Sequence, residues 1–332
     1  MVSSRINTAE LAGPLLAAVS RSFYLSIRLL PKSMRAPIGL AYLLARASDT
    51  IADSATASVP TRLAHLRTLE RMIRAGKPAG LDVLQAEIHS THEGENRLLG
   101  HLGACIEWLT TLENKERGEI VDVLQKIIRG QTLDLERFAE TGEIVALQTA
   151  ADLDEYTYLV AGCVGEFWTR VSLHHFPNCT RASLASLRQL GVNFGKGLQL
   201  VNILRDLPAD LRAGRCYLPE VELRAAGTSP APLADAPSKA QPVFAQWHAK
   251  ADAHLRDGYR YIAALRSARL RIACFLPWYL GVKTLRLLAQ PGALERAEKI
   301  KVSRGVVRFA LVLALPAAFS NRVLDRVARG LA

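Results

Sequence analysis

The chain has 332 residues, 49% of them hydrophobic and 22% charged, with 22 Gly and 15 Pro; this excludes a disordered chain and a collagen-like fibre and requires no disulfide or metal staple. The 42 Lys+Arg against 31 Asp+Glu leave a net charge of +11, which suits an anionic membrane surface or a diphosphate. No dense basic block with interleaved aromatics occurs and no zinc-finger or RNP signature, so no nucleic-acid partner is expected.

Apolar residues recur at i, i+3, i+4 and i+7 along most of the chain, which predicts helix after helix. Leu11–Ser20 is uncharged, but Glu10 immediately before it argues for a helix rather than a secretion signal. Met34–Ala52 follows, with Pro37 in its first turn. Next come Thr61–Ala75 behind Pro60, Asn96–Leu112 and Lys115–Thr141. Leu153–His175 is rich in small residues and stops before Pro177; Arg181–Leu207 is long and amphipathic. Gly227–Pro242 holds Pro230, Pro232, Pro237 and Pro242 and reads as a loop or an insertion. Phe244–Arg266 and Ala268–Ala289 are the last strong helices. No strand and no solenoid repeat is expected. The pattern predicts a single-domain, all-α bundle of helices around a central cavity.

Cys105, Cys163, Cys179, Cys216 and Cys274 are widely spaced and form no CxxC, which predicts reduced thiols in a cytoplasmic protein. The longest uncharged run, Phe309–Asn321, is too short to span a bilayer and is interrupted by Pro316. Arg304, Arg308, Arg322, Arg326 and Arg329 flank it. A helix lying in a membrane interface and a terminal core helix both fit these residues. The expected organisation is a body over 1–305 and a basic–apolar segment over 306–332, peripheral on the inner face of a membrane in the first of those readings.

Two constellations carry chemistry. Asp49 and Asp53, at i and i+4, place two carboxylates on one helical face. Their repulsion costs roughly 0.2–0.5 kcal/mol when exposed, and a hard cation would offset it; two solvated acids are the plain alternative. Asn202, Asp206 and Asp210 form a second oxygen-rich stripe, with Gln199 and Arg205 beside it. Mg²⁺ takes one or two carboxylates and fills its shell with water and phosphate oxygens, so such stripes suit a diphosphate carried on Mg²⁺. Arg46 and Arg205 would add charge-assisted bonds to phosphate, or form intrahelical salt bridges. Pro208 between Asp206 and Asp210 removes one hydrogen bond and disfavours helical geometry at Leu207, so a kink or a fresh turn is expected there.

These stripes, with three further segments in order, resemble the squalene/phytoene synthase family over roughly residues 15–305. The matching segments are Ser20-Arg21-Ser22-Phe23; Tyr42-x-x-x-Arg46-x-x-Asp49-x-x-x-Asp53; Tyr156-x-Tyr158-x-Val160-Ala161-Gly162-x-Val164-Gly165; Gln199-x-x-Asn202-x-x-Arg205-Asp206-x-x-x-Asp210; and Arg215-Cys216-Tyr217-Leu218-Pro219. The resemblance implies an isoprenoid-synthase-type fold and a prenyl transferase that condenses two farnesyl diphosphates. It implies Mg²⁺ on Asp49, Asp53, Asn202, Asp206 and Asp210, with Tyr156 handling a proton or facing a cation. Substrate contacts would come from Ser20, Arg21, Ser22, Phe23, Tyr42, Arg46, Val160, Ala161, Gly165, Gln199, Asn202, Arg205 and Tyr217. Ala161, Gly162 and Gly165 would let a helix approach the isoprenoid; tight helix–helix packing needs the same small residues.

Ala52 stands where animal and fungal squalene synthases carry an acid, as in bacterial relatives, and Asp49-Thr50-Ile51-Ala52-Asp53 resembles the squalene branch more than the carotenoid branch. The implied product is squalene, with NADPH as reductant; dehydrosqualene or phytoene, without reduction, is the alternative. An inactive relative serving as a membrane assembly factor would have lost aspartates that are all present here. A monomer or a weak dimer is expected.

Overall fold

The computed structural model describes residues 7–20, 22–138, 142–296 and 299–331, without the side chains of Ser22 and Leu25. Contacts divide the chain into two compact units, Met1–Glu136 with Arg170–His175, and Arg137–Thr169 with Phe176–Ala332.

In the first unit, Thr8–Glu10 (α1), a wide turn at Leu11–Leu15 and Leu16–Ser20 (α2) follow one another directly. Pro14 sits in the wide turn, where its missing N–H costs least. Then come Ser22–Leu29 (α3), Lys32–Ala52 (α4), Val59–Ala75 (α5), Leu81–Glu87 (α6), Glu93–Gly100 (α7), Leu102–Thr111 (α8) and Asn114–Arg137 (α9). The helix expected over 96–112 is therefore two, parted at His101, which leaves helical geometry at φ −101° and ψ 7°. The α5 ends match their signals: Ser58 accepts from the Thr61 N–H, and Gly76 turns the chain away at φ 65°.

Helix α4 shows why its acids face outward. Leu40, Leu43, Leu44, Ala47 and Ile51 are completely buried and recur at helical spacing on one side. Burying the three leucines and the isoleucine contributes roughly 6–12 kcal/mol as an upper estimate. That outweighs the repulsion between Asp49 and Asp53 by an order of magnitude. Tyr42, Arg46, Asp49 and Asp53 are left together on the opposite face.

In the second unit, Ala150–Thr157 (α10), a wide turn at Tyr158–Gly162 and Cys163–His175 (α11) replace the uniform helix expected over 153–175. Residues 170–175 of α11 group with the first unit. Thr149 and Asp152 form a reciprocal capping box at the start of α10. Next are Leu184–Arg212 (α12), Glu220–Ala225 (α13), Gln241–Ala264 (α14), Ala268–Leu288 (α15), Arg304–Phe319 (α16) and Asn321–Leu331 (α17). The proline-rich stretch 227–242 holds two short 3₁₀ turns, Ala231–Leu233 and Pro237–Ala240, and then opens α14. Both α16 and α17 belong to this unit.

Two expectations are corrected here. Helix α12 runs unbroken through Pro208 to Arg212. Leu204, Leu207 and Leu211 are buried on its inner side, and their packing offsets the single lost hydrogen bond. A short strand pair also exists: Val145–Ala146 (β1) lies parallel to Arg215–Cys216 (β2). The Val145 and Leu147 amides donate to the carbonyls of Gly214 and Cys216, each at 3.0 Å. Two residues per strand are too few for any alternation to show in a sequence.

Candidate functional site

The first unit presents the α4 face. The Asp49 carboxylate accepts a 2.6 Å hydrogen bond from the Gln131 amide on α9. Gln131 is buried, and its own side-chain oxygen has no partner among the described residues. Burial among protein atoms, and then repulsion from Asp53, raise the Asp49 pKa above the usual carboxylate range. Its side chain is still 45% exposed, so water screens part of that cost. Crowded carboxylates with an orphaned buried oxygen nearby form a donor set of the kind a hard cation takes.

Arg46 pairs with Glu95, while Asp49 lies 3.9 Å away. Glu95 also accepts from the Ser90 hydroxyl at 2.6 Å, and despite its burial these donors hold its pKa down. Arg46 is thus fixed across α4 and α7 rather than extended into solvent. At the N-terminal segment, the Ser20 hydroxyl donates back to the Leu16 carbonyl at 2.5 Å, buried within its own helix. Phe23 is half-exposed and stacks on Tyr42 at 5.9 Å, and the Tyr42 hydroxyl donates to the Val19 carbonyl at 3.3 Å. Arg21 lies outside the described residues, as does the Ser22 side chain.

The second unit presents the α12 stripe. Because α12 is continuous, Asn202, Asp206 and Asp210 share one face, a turn apart. Arg205 folds onto its neighbour Asp206 with two bonds, Nε to Oδ1 at 2.9 Å and Nη2 to Oδ2 at 2.8 Å. Lys299, in the coil after α15, reaches Asp206 Oδ1 at 2.8 Å. Burial alone would raise Asp206; the bonds from Arg205 and Lys299 outweigh it and hold the carboxyl below its ordinary range. Arg215 lies 3.5 Å from Asp210, and the Asn202 amide donates to Gln199 Oε1 at 3.4 Å. Asp206 is therefore an anion already matched by cations, the reverse of Asp49.

Tyr156, half-buried at the end of α10, stacks on Tyr217 at 5.0 Å. Phe138 meets the same Tyr217 ring edge-on at 5.0 Å. Tyr217 itself is buried. The small residues serve a crossing. A Cβ at Gly165 would lie 2.0 Å from the Gly191 carbonyl oxygen, and one at Gly195 would lie 2.2 Å from that of Ala161. The backbones of the 158–169 segment and α12 touch there, and Gly165, Gly191 and Gly195 are the small residues that let them do so. Val160 is half-buried in the wide turn.

Three residues of these sites escaped the sequence. Gln131 is a buried polar residue on an otherwise amphipathic helix, a weak local signal. Glu95 and Lys299 carried none, because their partners are distant in the chain. A separate cavity of 720 Å³ between α14, α15 and α17 contains none of the motif residues.

No group of three or more His, Cys, Asp or Glu stands ready to cage a metal among the described residues. The donors instead fit Mg²⁺ that shares its shell with phosphate and water.

An all-α chain with an oxygen-donor stripe on a helix of each unit is what these features define. A profile of the squalene/phytoene synthase family matches residues 16–306, and the chain belongs to that family. It is 25% identical to a squalene synthase of Schizosaccharomyces pombe, covering 88% of this chain and 62% of that one. It is 30% identical to a presqualene diphosphate synthase of Zymomonas mobilis over 63% of this chain and 60% of that one. The chain thus spans less than two thirds of the length of either relative. Its fold is similar to that of TcSQS solved with a ligand, at a TM-score of 0.78 and 22% identity, covering 98% of this chain and 91% of that one.

Proposed function

We propose that the chain joins two farnesyl diphosphates head to head, through presqualene diphosphate, to give squalene. The observation that supports this reading is the pair of complete acidic stripes, Asp49 and Asp53 on α4 and Asn202, Asp206 and Asp210 on α12, in a member of this family. Those five residues would hold Mg²⁺, which when bound neutralises a diphosphate and makes it a better leaving group. Arg46 and Arg205 offer guanidinium N–H groups to phosphate oxygens; each now rests on a carboxylate that holds it in place. Departure of one diphosphate leaves an allylic cation, and the double bond of the second substrate attacks its C1. Loss of a proton, to the Tyr156 hydroxyl or to the released diphosphate, closes the cyclopropane. The stacked rings of Tyr156 and Tyr217 offer π faces that favour cationic carbon.

Departure of the second diphosphate and rearrangement of the cyclopropane leave a carbocation, to which NADPH would deliver a hydride. No strand, glycine-rich turn and helix mark a seat for it among the described residues, so the reductant is assigned from the family alone. The Zymomonas mobilis relative is named for the intermediate, which makes a stop before reduction the second reading: presqualene diphosphate or dehydrosqualene from the C15 substrate, or phytoene from the C20 one.

The test is product analysis by mass spectrometry, with the C15 or C20 diphosphate, with and without Mg²⁺ and NADPH. Squalene from the C15 substrate, only with both additions, is expected. Presqualene diphosphate or dehydrosqualene as the sole product selects the second reading. No Mg²⁺-dependent product from either substrate overturns both.

A further inference from the structure

Helix α16 is arranged inside out. It packs on α15, and its buried residues are Ala310, Ala314, Ala317 and Ala318. Four of its large side chains point the other way: Phe309, Val312, Leu315 and Phe319 are 56%, 67%, 58% and 78% exposed. At 100° per residue these four fall in one arc with Arg308 and Pro316. A core helix does the opposite, burying its large residues. Four of the ten large apolar side chains exposed among the described residues lie on this one helix.

The helix is held in this orientation at both ends. The Ser303 hydroxyl caps its first turn, accepting from the Val306 amide. Arg271, buried beneath it, donates to the Ala317 carbonyl at 2.9 Å. The exposed charges of α16 and α17 have one sign. Arg304, Arg308, Arg322, Arg326 and Arg329 are all exposed. The single acid of residues 304–331, Asp325, is turned aside to accept the Tyr259 hydroxyl at 2.5 Å.

We propose that this face of α16, with its arginines, docks flat on an anionic lipid surface. Sixteen residues span about 24 Å, and no helix among the described residues is long and apolar enough to cross a membrane. The Phe, Val and Leu side chains would enter the boundary between headgroups and acyl chains, and the arginines would meet lipid phosphates. A second copy of this chain is the weaker occupant. A two-fold contact brings the same patch onto itself, arginine against arginine, with no exposed acid there to pair.

The test uses the full chain and flotation with phosphatidylglycerol or phosphatidylcholine vesicles; its readout needs no catalysis, so it is independent of the proposed reaction. Binding to phosphatidylglycerol at low salt, and release as salt rises, is expected. Arg308→Gln should lower the partition coefficient about fivefold, and the double variant Val312→Glu/Phe319→Glu should abolish binding. Both positions are exposed, so helical content and the thermal midpoint should match those of the parent. Equal binding to phosphatidylcholine, or undiminished binding by the folded double variant, overturns the proposal. So does a dimer in sedimentation velocity that the double variant dissolves, since a second copy would then cover the face.

Discussion

Asp49 and Asp206 occupy matching places in the two motifs, yet their neighbours treat them oppositely. Asp49 faces another carboxylate and an amide; Asp206 is gripped by a guanidinium and an ammonium. Both are partly solvated, so neither is needed to hold its helix. Asp49→Asn and Asp206→Asn should therefore keep the helical signal and the unfolding midpoint while lowering diphosphate release from farnesyl diphosphate by about a hundredfold or more. Normal release at ordinary Mg²⁺ would remove them from the metal site. His254 on α14 is the other residue with a distinct pH signature. Burial, with Lys250 and Lys196 adding to it, pushes its pKa down to about 4, and its Nε2 has no hydrogen-bond partner among the described residues. The folded chain keeps it neutral, whereas the unfolded chain protonates it near its ordinary 6.5. The unfolded state thus binds more protons below that value, and stability falls as pH drops from about 6.5 to about 4, by up to about 3 kcal/mol. His254→Leu should flatten that part of the profile in urea titrations at pH 5 and 7; an unchanged slope would assign it to other groups.

At the scale of elements, the crossing of the 158–169 segment with α12 sets where the second stripe sits. Gly195→Ala places a methyl 2.2 Å from the Ala161 carbonyl oxygen, backbone against backbone, with no side chain free to swing away. A loss of about 1–3 kcal/mol or more is expected in urea unfolding. Gly118→Ala in α9, with nothing within 4 Å of the added carbon, serves as the control and should gain about 0.5–1 kcal/mol through helix propensity. Equal effects of the two substitutions would mean that the helices do not touch there. The wide turn at Tyr158–Gly162 belongs to the same junction and brings the Ala161 carbonyl against Gly195.

At the scale of the whole molecule, all five cysteines are buried and no disulfide joins any two of them. Burial pushes the thiols of Cys105, Cys216 and Cys274 up to about 12, which leaves almost no thiolate at neutral pH. In the folded protein a disulfide reagent at pH 8 should find no rapidly reacting thiol, whereas all five should react in urea. A fast thiol with the helical signal unchanged would show a segment that opens locally.

The sequence by itself determined the all-helical class, the main helices within a few residues, and both aspartate stripes. Those signals are local: the period of Leu40, Leu43, Leu44 and Ala47 or the spacing of Asp49 and Asp53 is complete within a few turns of chain. Tertiary packing decided what depends on distant partners. It carried α12 unbroken through Pro208, with Leu204, Leu207 and Leu211 buried along one side. It gave Gly165 and Gly195 to a helix crossing, and it paired β1 with β2 across some seventy residues. It placed Gln131 on Asp49, Glu95 on Arg46 and Lys299 on Asp206, contacts between residues 45 or more positions apart. It also chose which face of α16 is buried. An apolar helix with alanines on one side and large side chains on the other carries no label for inside, and only the surface of α15 beneath it settles the matter.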